Sequence, residues 1–285
     1  MSRKTDIYSY QRVSGRKQKP HQIFVSLPTR ALKGLLLYLI TWENVILLTI
    51  SFFVGRALLA GGLVPFPAAL LAAVMVVLYD RALLVLLAAG VGLFTVSTGY
   101  ELGATMASLV LLFIILSGTV SQFRQKWYGV PVLVAGVILV VKAGVFAYFK
   151  PELYNYLVAG FEAVLAGCAT FLFTRTIPII RNAGSLGSLK KEEIIGGAVL
   201  IVAVLTGMSE VIFYNVELKN VISRAFVMLA AYIGGGGLGA AMGTLVGMVP
   251  SITSVIAPGV LAVYSFSGLT AGMFRGFGRI GIVIG

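Results

Sequence analysis

The sequence predicts an all-α fold, namely a polytopic transmembrane bundle of about ten helices whose last helix is truncated. Three observations favour it. Of the 285 residues, 59% are hydrophobic and 11% are charged, with a mean hydropathy of +0.99, whereas a globular domain carries about 25% charged residues. Long charge-free runs recur, and the longest is 225–274. Lys and Arg residues are also more frequent in every second loop between these runs than in the loops on either side. A soluble enzyme is therefore excluded as the main interpretation.

The chain begins with a basic segment, residues 1–34, which we expect to be a cytoplasmic tail preceding a transmembrane domain at 35–285. Eight Lys and Arg residues in this segment are opposed by a single acid, Asp6. Pro20 and Pro28 interrupt any long helix. Attraction of about 1 kcal/mol for each basic residue to anionic lipid favours a membrane-adjacent tail over a nucleic-acid arm, so no nucleic-acid partner is predicted.

The charge-free runs locate the predicted transmembrane helices along the chain, because a bilayer crossing needs about 20 apolar residues. Prolines stand at the start of the second and fifth spans, where they are tolerated. Pro258 is expected to kink the ninth. The predicted spans are 43–60, 64–80, 82–99, 102–121, 128–148, 154–179, 193–213, 225–249 and 252–273, with a tenth beginning near 280.

The run 225–274 is too long for one crossing, so it must turn back. Candidate turn residues are Gly247, Pro250, Ser251 and Ser254. The positive-inside rule orients the bundle with the tail in the cytoplasm. The bias weakens at Arg275 and Arg279, which would lie outside.

The chain ends at Gly285 inside an apolar stretch. Half a helix left in lipid is costly, since its backbone groups lack partners. We therefore expect the chain to be a fragment of a longer protein.

A glycine-rich segment, residues 234–239, matches G-x-G-x-x-G, but no acidic residue follows Glu217 to bind a ribose. A dinucleotide site is therefore rejected. Small residues spaced four apart instead predict a helix-packing face, with a helix of the same chain or of a second copy as its partner. A hydrophilic pore is a weaker option. The face comprises Ala231, Gly235, Gly239, Gly243 and Gly247.

Charged residues within membrane spans are costly and indicate candidate functional positions. Five of them fall near predicted interfaces: Glu43, Asp80, Arg81, Glu101 and Arg224. Arg56 can extend to the interface. The deep candidates are Lys142, Glu162 and Glu210. A pair between Lys142 and Glu162 on neighbouring helices would be either a structural ion pair or part of a transport pathway.

Catalytic and metal-binding patterns are missing from the sequence. Cys168 and His21 are the single cysteine and the single histidine, so no Cys/His zinc site can form. No cofactor is expected in this chain. The stretch 189–195 favours a helix start, with Ser185 or Ser188 as its cap. The cytoplasmic loop 181–193 is a candidate docking surface.

Several short motifs follow one another along the chain in an order and at a spacing that match a known protein family. They are Gly55-Arg56-Ala57, Leu63-Val64-Pro65-Phe66, Leu189 to Ile195, Val204-Leu205-Thr206-Gly207, Ser223-Arg224, Tyr232-Ile233-Gly234-Gly235 and Ser265-Phe266-Ser267-Gly268-Leu269. With them, the chain resembles the N-terminal membrane domains of the stage II sporulation protein E family of endospore-forming bacteria.

This resemblance implies about ten helices with both ends cytoplasmic, followed by a regulatory region and a manganese- or magnesium-dependent serine/threonine phosphatase. That phosphatase dephosphorylates an anti-anti-sigma factor, which releases the forespore sigma factor. The family acts at the asymmetric septum with the cell-division tubulin homologue. The expected role here is an oligomerising membrane anchor with no catalytic residue. The alternative is a small-molecule transporter or permease.

Overall fold

A computed structural model of the protein describes residues 41–59, 62–123, 128–149, 151–181, 191–208, 212–213, 216–253, 257–278 and 281–282. The predicted tail 1–34, the predicted tenth helix near 280 apart from residues 281–282, and most of the loop 181–193 lie outside these ranges. Glu210 lies outside them as well.

Within the described ranges the chain forms nine α-helices, and each overlaps one of the nine predicted spans. A hairpin of two-residue strands, β1 (Ile212–Phe213) and β2 (Val216–Glu217), precedes the eighth helix. The helical fold class is therefore confirmed. The helices are α1 (Trp42–Arg56), α2 (Pro65–Val77), α3 (Ala82–Phe94), α4 (Gly99–Phe123), α5 (Gly129–Phe149), α6 (Leu153–Arg181), α7 (Lys191–Gly207), α8 (Leu218–Thr253) and α9 (Ala257–Met273).

The first helices are shorter than the predicted spans. Helices α2 and α3 have 13 residues each, or about 20 Å at 1.5 Å per residue, whereas the hydrocarbon core is about 30 Å thick. In the part of the chain that the structure describes, four helices are long and apolar enough to cross a membrane: Gly99–Thr119, Gly129–Phe149, Leu153–Pro178 and Leu218–Met248. The prediction of a membrane protein is therefore supported, but some of the described helices are too short to cross the whole hydrocarbon core.

The eighth helix differs most from its prediction. It begins at Leu218 and continues to Thr253, through the predicted turn residues Gly247 and Pro250. Its interruption is a kink at Gly235, where φ is 73° and ψ is −165°, a conformation open to glycine because it has no Cβ. Pro258 is the second residue of α9, so the expected kink there is wrong.

The first three helices alternate in chain direction. Glu43 and Arg81 form a salt bridge beside the starts of α1 and α3. The other ends of these helices meet where Arg56 donates to Thr95. Helices α1 and α3 are therefore parallel and pack directly on each other, as the contact of Gly55 with Ala89 shows, and α2 runs antiparallel to both.

The later helices are antiparallel neighbours. Tyr100, at the start of α4, stacks on Phe149 at the end of α5. In α8 and α9, Gly239 lies against Gly268 and Gly247 lies against Leu261. The contacts thus describe an up-and-down bundle, as expected for short connections.

Helix α2 lies at the centre of the bundle. Residues 68–75 are at most 3% exposed, so this helix is covered on every side. The outer helices instead expose apolar side chains at helical spacing: Leu83, Leu87, Val91 and Phe94 on α3 are 53–66% exposed. A bundle that is apolar both inside and outside is typical of a protein in lipid.

Candidate functional site

The most buried charges lie between α5 and α6. Lys142 Nζ is 2.5 Å from Glu162 Oε2, and the two side chains are 6% and 2% exposed. Lys142 precedes the end of α5 by seven residues and Glu162 follows the start of α6 by nine. At 1.5 Å per residue, both therefore lie about 10–14 Å from the turn that joins the helices. The expected pair is present.

Burial makes this contact costly to break. Moving one such ion from water to a medium of dielectric constant 4 costs, in the ideal case, about 20 kcal/mol. Each group offsets the cost for the other, because the ammonium donates directly to the carboxylate. Val134 and Ile138 on α5 and Ala163 and Ala166 on α6 belong to the same buried apolar core. The arrangement fixes the register of α5 against α6.

Arg56 joins the ends of three helices. Its Nε donates to the carbonyl oxygen of Gly207 at 3.1 Å, and a terminal nitrogen donates to the hydroxyl of Thr95 at 2.8 Å. Gly207 ends α7, where unsatisfied carbonyls carry partial negative charge. The guanidinium also lies 5.8 Å from the ring centre of Phe52. Arg56 is therefore held by contacts with the ends of α3 and α7, while its expected extension to the membrane interface stays a prediction.

The predicted glycine face is occupied by α9 of the same chain. A Cβ added at Gly239 would overlap the carbonyl oxygen of Gly268, and one at Gly243 would overlap that of Tyr264. A Cβ at Gly247 would lie 2.7 Å from the Cα of Leu261. Backbones this close are typical of small-residue contacts in membranes.

Gly235 lies at the kink in α8, but its backbone still contacts α9, because a Cβ added at Gly272 would overlap the carbonyl carbon of Gly235. Ala231, which is fully buried, lies before the kink. The five small residues therefore do not form one continuous helix face, because residues spaced four apart share a face only while the helix is continuous. Of the two partners considered, the helix of the same chain makes these contacts.

Further glycine contacts were missed by the sequence analysis. Cβ atoms at Gly55, Gly92 and Gly207 would each overlap backbone atoms of a neighbouring helix. Gly55 faces Ala89, and Gly207 faces Phe53. Each stands four residues after a single small residue, namely Ser51, Ala88 or Ala203, so the sequence carries only a short pair at these places and not a longer repeat.

The remaining predicted positions are peripheral. Glu43 pairs with Arg81 at 2.5 Å, with side chains 63% and 25% exposed. Asp80, Glu101 and Arg224 are exposed. Within the described part of the chain, no three His, Cys, Asp or Glu residues form a group that could hold a metal ion. The contacts of the described residues therefore support helix assembly.

Comparison with known proteins gives a family and a relative. The family model described as "SpoIIE, N-terminal domain" matches residues 3–285. Over 278 residues the chain is 26% identical to stage II sporulation protein E of Bacillus subtilis (strain 168), an alignment that covers 96% of the chain and 33% of the relative. The chain thus spans about a third of the length of that relative. No solved structure matches it significantly.

Proposed function

The chain belongs to the SpoIIE N-terminal domain family, and from this premise we propose that it is the membrane anchor and assembly domain of a sporulation protein phosphatase. The anchor holds the enzyme at the asymmetric division septum and brings copies of it together. The observation that carries the proposal is the family match over residues 3–285 in a chain whose described helices are apolar on their outer faces.

Catalysis is proposed for a cytoplasmic region of a longer protein, since the chain corresponds to about a third of its relative. That region would use manganese or magnesium to dephosphorylate an anti-anti-sigma factor, which activates the forespore sigma factor. The cell-division tubulin homologue is the proposed septal partner. The basic tail, residues 1–34, is proposed to lie in the cytoplasm against anionic lipid.

A chimaera in Bacillus subtilis tests this proposal. Residues 1–285 replace the corresponding membrane region of the relative, and the control carries an unrelated polytopic anchor. We expect septal enrichment of the phosphatase and an active forespore sigma reporter with this chain, and neither with the control. Equal behaviour of the two chimaeras would remove the specific anchoring function and leave only membrane attachment.

The alternative, a small-molecule transporter, is favoured by one observation, the buried charges of Lys142 and Glu162. A transport pathway would need these charges for flux. An anchor needs only the contact between α5 and α6, so replacing both charges by apolar groups distinguishes the two functions.

A further inference from the structure

A groove of about 390 Å³ opens between α5 and α6 near the start of α5. At its base the helices approach closely, since a Cβ on Gly167 would lie 3.2 Å from the carbonyl oxygen of Pro131. The groove is a gap above this backbone contact. Its lining is Tyr128, Pro131, Gly167, Cys168, Phe171 and Leu172.

The groove faces the surface that lipid would cover. The flanking side chains Val132 and Val164 are 63% and 62% exposed, and both are apolar. Water gains few hydrogen bonds in an apolar groove of this kind, so a hydrocarbon chain is the better occupant.

A cation lies at one end of the groove. Arg175 is exposed, and its guanidinium lies 5.7 Å from the ring centre of Phe171, a lining residue. Among the described residues Arg175 forms no salt bridge. Its Cα lies seven residues along α6 from Cys168, or about 10 Å. An anionic headgroup on Arg175 would thus place its acyl chain along the groove.

We propose that this groove binds one anionic phospholipid. Arg175 contacts the lipid phosphate, for which the planar guanidinium is well suited, and an acyl chain lies over Gly167 and Cys168. The proposal goes beyond anchoring, because it gives the bundle a preference for the type of lipid around it. Charge complementarity favours this occupant over a zwitterionic lipid or a second copy of the chain.

Native mass spectrometry of the whole chain in detergent tests the site, with dioleoyl phosphatidylglycerol and dioleoyl phosphatidylcholine as probes. We expect one phosphatidylglycerol to be retained in preference to phosphatidylcholine. Arg175→Gln should lower that preference about fivefold, the effect of one basic contact at a lipid surface. Arg175→Lys should retain part of it. Arg224→Gln, the control at an exposed arginine on α8, should change nothing.

Two further results decide the site. Cys168→Phe fills the groove and should weaken phosphatidylglycerol retention while Arg175 is intact. Equal retention of both lipids, or a preference that survives Arg175→Gln, would overturn the proposal. Because Cys168 is the single cysteine, oxidation in vesicles also tests the competing occupant. A Cys168–Cys168 disulfide dimer would show that a second copy covers the groove, and the lipid site would be refuted.

Discussion

Removing one charge of the Lys142–Glu162 pair is expected to destabilise the bundle far more than removing both. Lys142→Met leaves a carboxylate that is 2% exposed without its ammonium partner. Loss of one partner from a buried pair costs about 3–5 kcal/mol, or two to three and a half powers of ten in the unfolding equilibrium. Solvent screening is small here, because both side chains are buried.

The double variant Lys142→Met with Glu162→Leu should behave differently. Replacing both ions by apolar groups of similar volume is often neutral or stabilising by about 1–4 kcal/mol. We expect it to fall within about 1 kcal/mol of the parent protein. The coupling free energy, measured by reversible unfolding in mixed micelles, would then be several kcal/mol.

The exposed pair Glu43–Arg81 provides the matched control, with a coupling below about 1 kcal/mol. The reasoning is refuted if the two single variants at the buried pair unfold like the parent, or if the double variant loses the sum of the two single losses. The double variant should also keep septal placement of the phosphatase, whereas a transporter would lose flux.

The other predictions concern helix packing and use the same unfolding assay. Gly243→Ala should cost about 1–3 kcal/mol, because its Cβ overlaps the carbonyl oxygen of Tyr264, while Gly237→Ala, with open space around it, should be neutral or stabilising; equal effects would contradict the contact. Arg56→Met should cost about 1.5–3 kcal/mol through its lost charge-assisted hydrogen bonds, and an unchanged stability would show that these bonds are absent. Gly235→Ala should cost about 1–3 kcal/mol, because alanine is strained at a φ of 73°, and a neutral result would argue for a continuous helix.

The helix positions were predictable from charge, because a charged residue at the centre of a span costs about 2.5–3.5 kcal/mol. The pairing of Lys142 with Glu162 was expected because the two residues carry opposite charges and lie within neighbouring predicted helices. Both inferences rest on a strong electrostatic penalty, which leaves a visible pattern in sequence.

Other features left no such pattern. Both α2 and α3 appear in the sequence as charge-free runs, although α2 is buried on every side and α3 exposes Leu87 and Val91. The sequence therefore does not distinguish a central helix from an outer one. Four consecutive glycines do not reveal that the kink lies at Gly235. One partner of Arg56 is a backbone carbonyl 151 residues away, and a backbone group has no signature in sequence. These features depend on tertiary packing.

The most direct test of the anchoring proposal is the position of residues 1–285 themselves in sporulating Bacillus subtilis. A fluorescent fusion of the whole chain would be imaged in cells that lack the endogenous relative, so that co-assembly cannot recruit it. The account predicts enrichment at the asymmetric septum over the lateral membrane, and loss of that enrichment with Gly239→Leu and Gly243→Leu. A fluorescence signal of equal density around the whole cell membrane would contradict it.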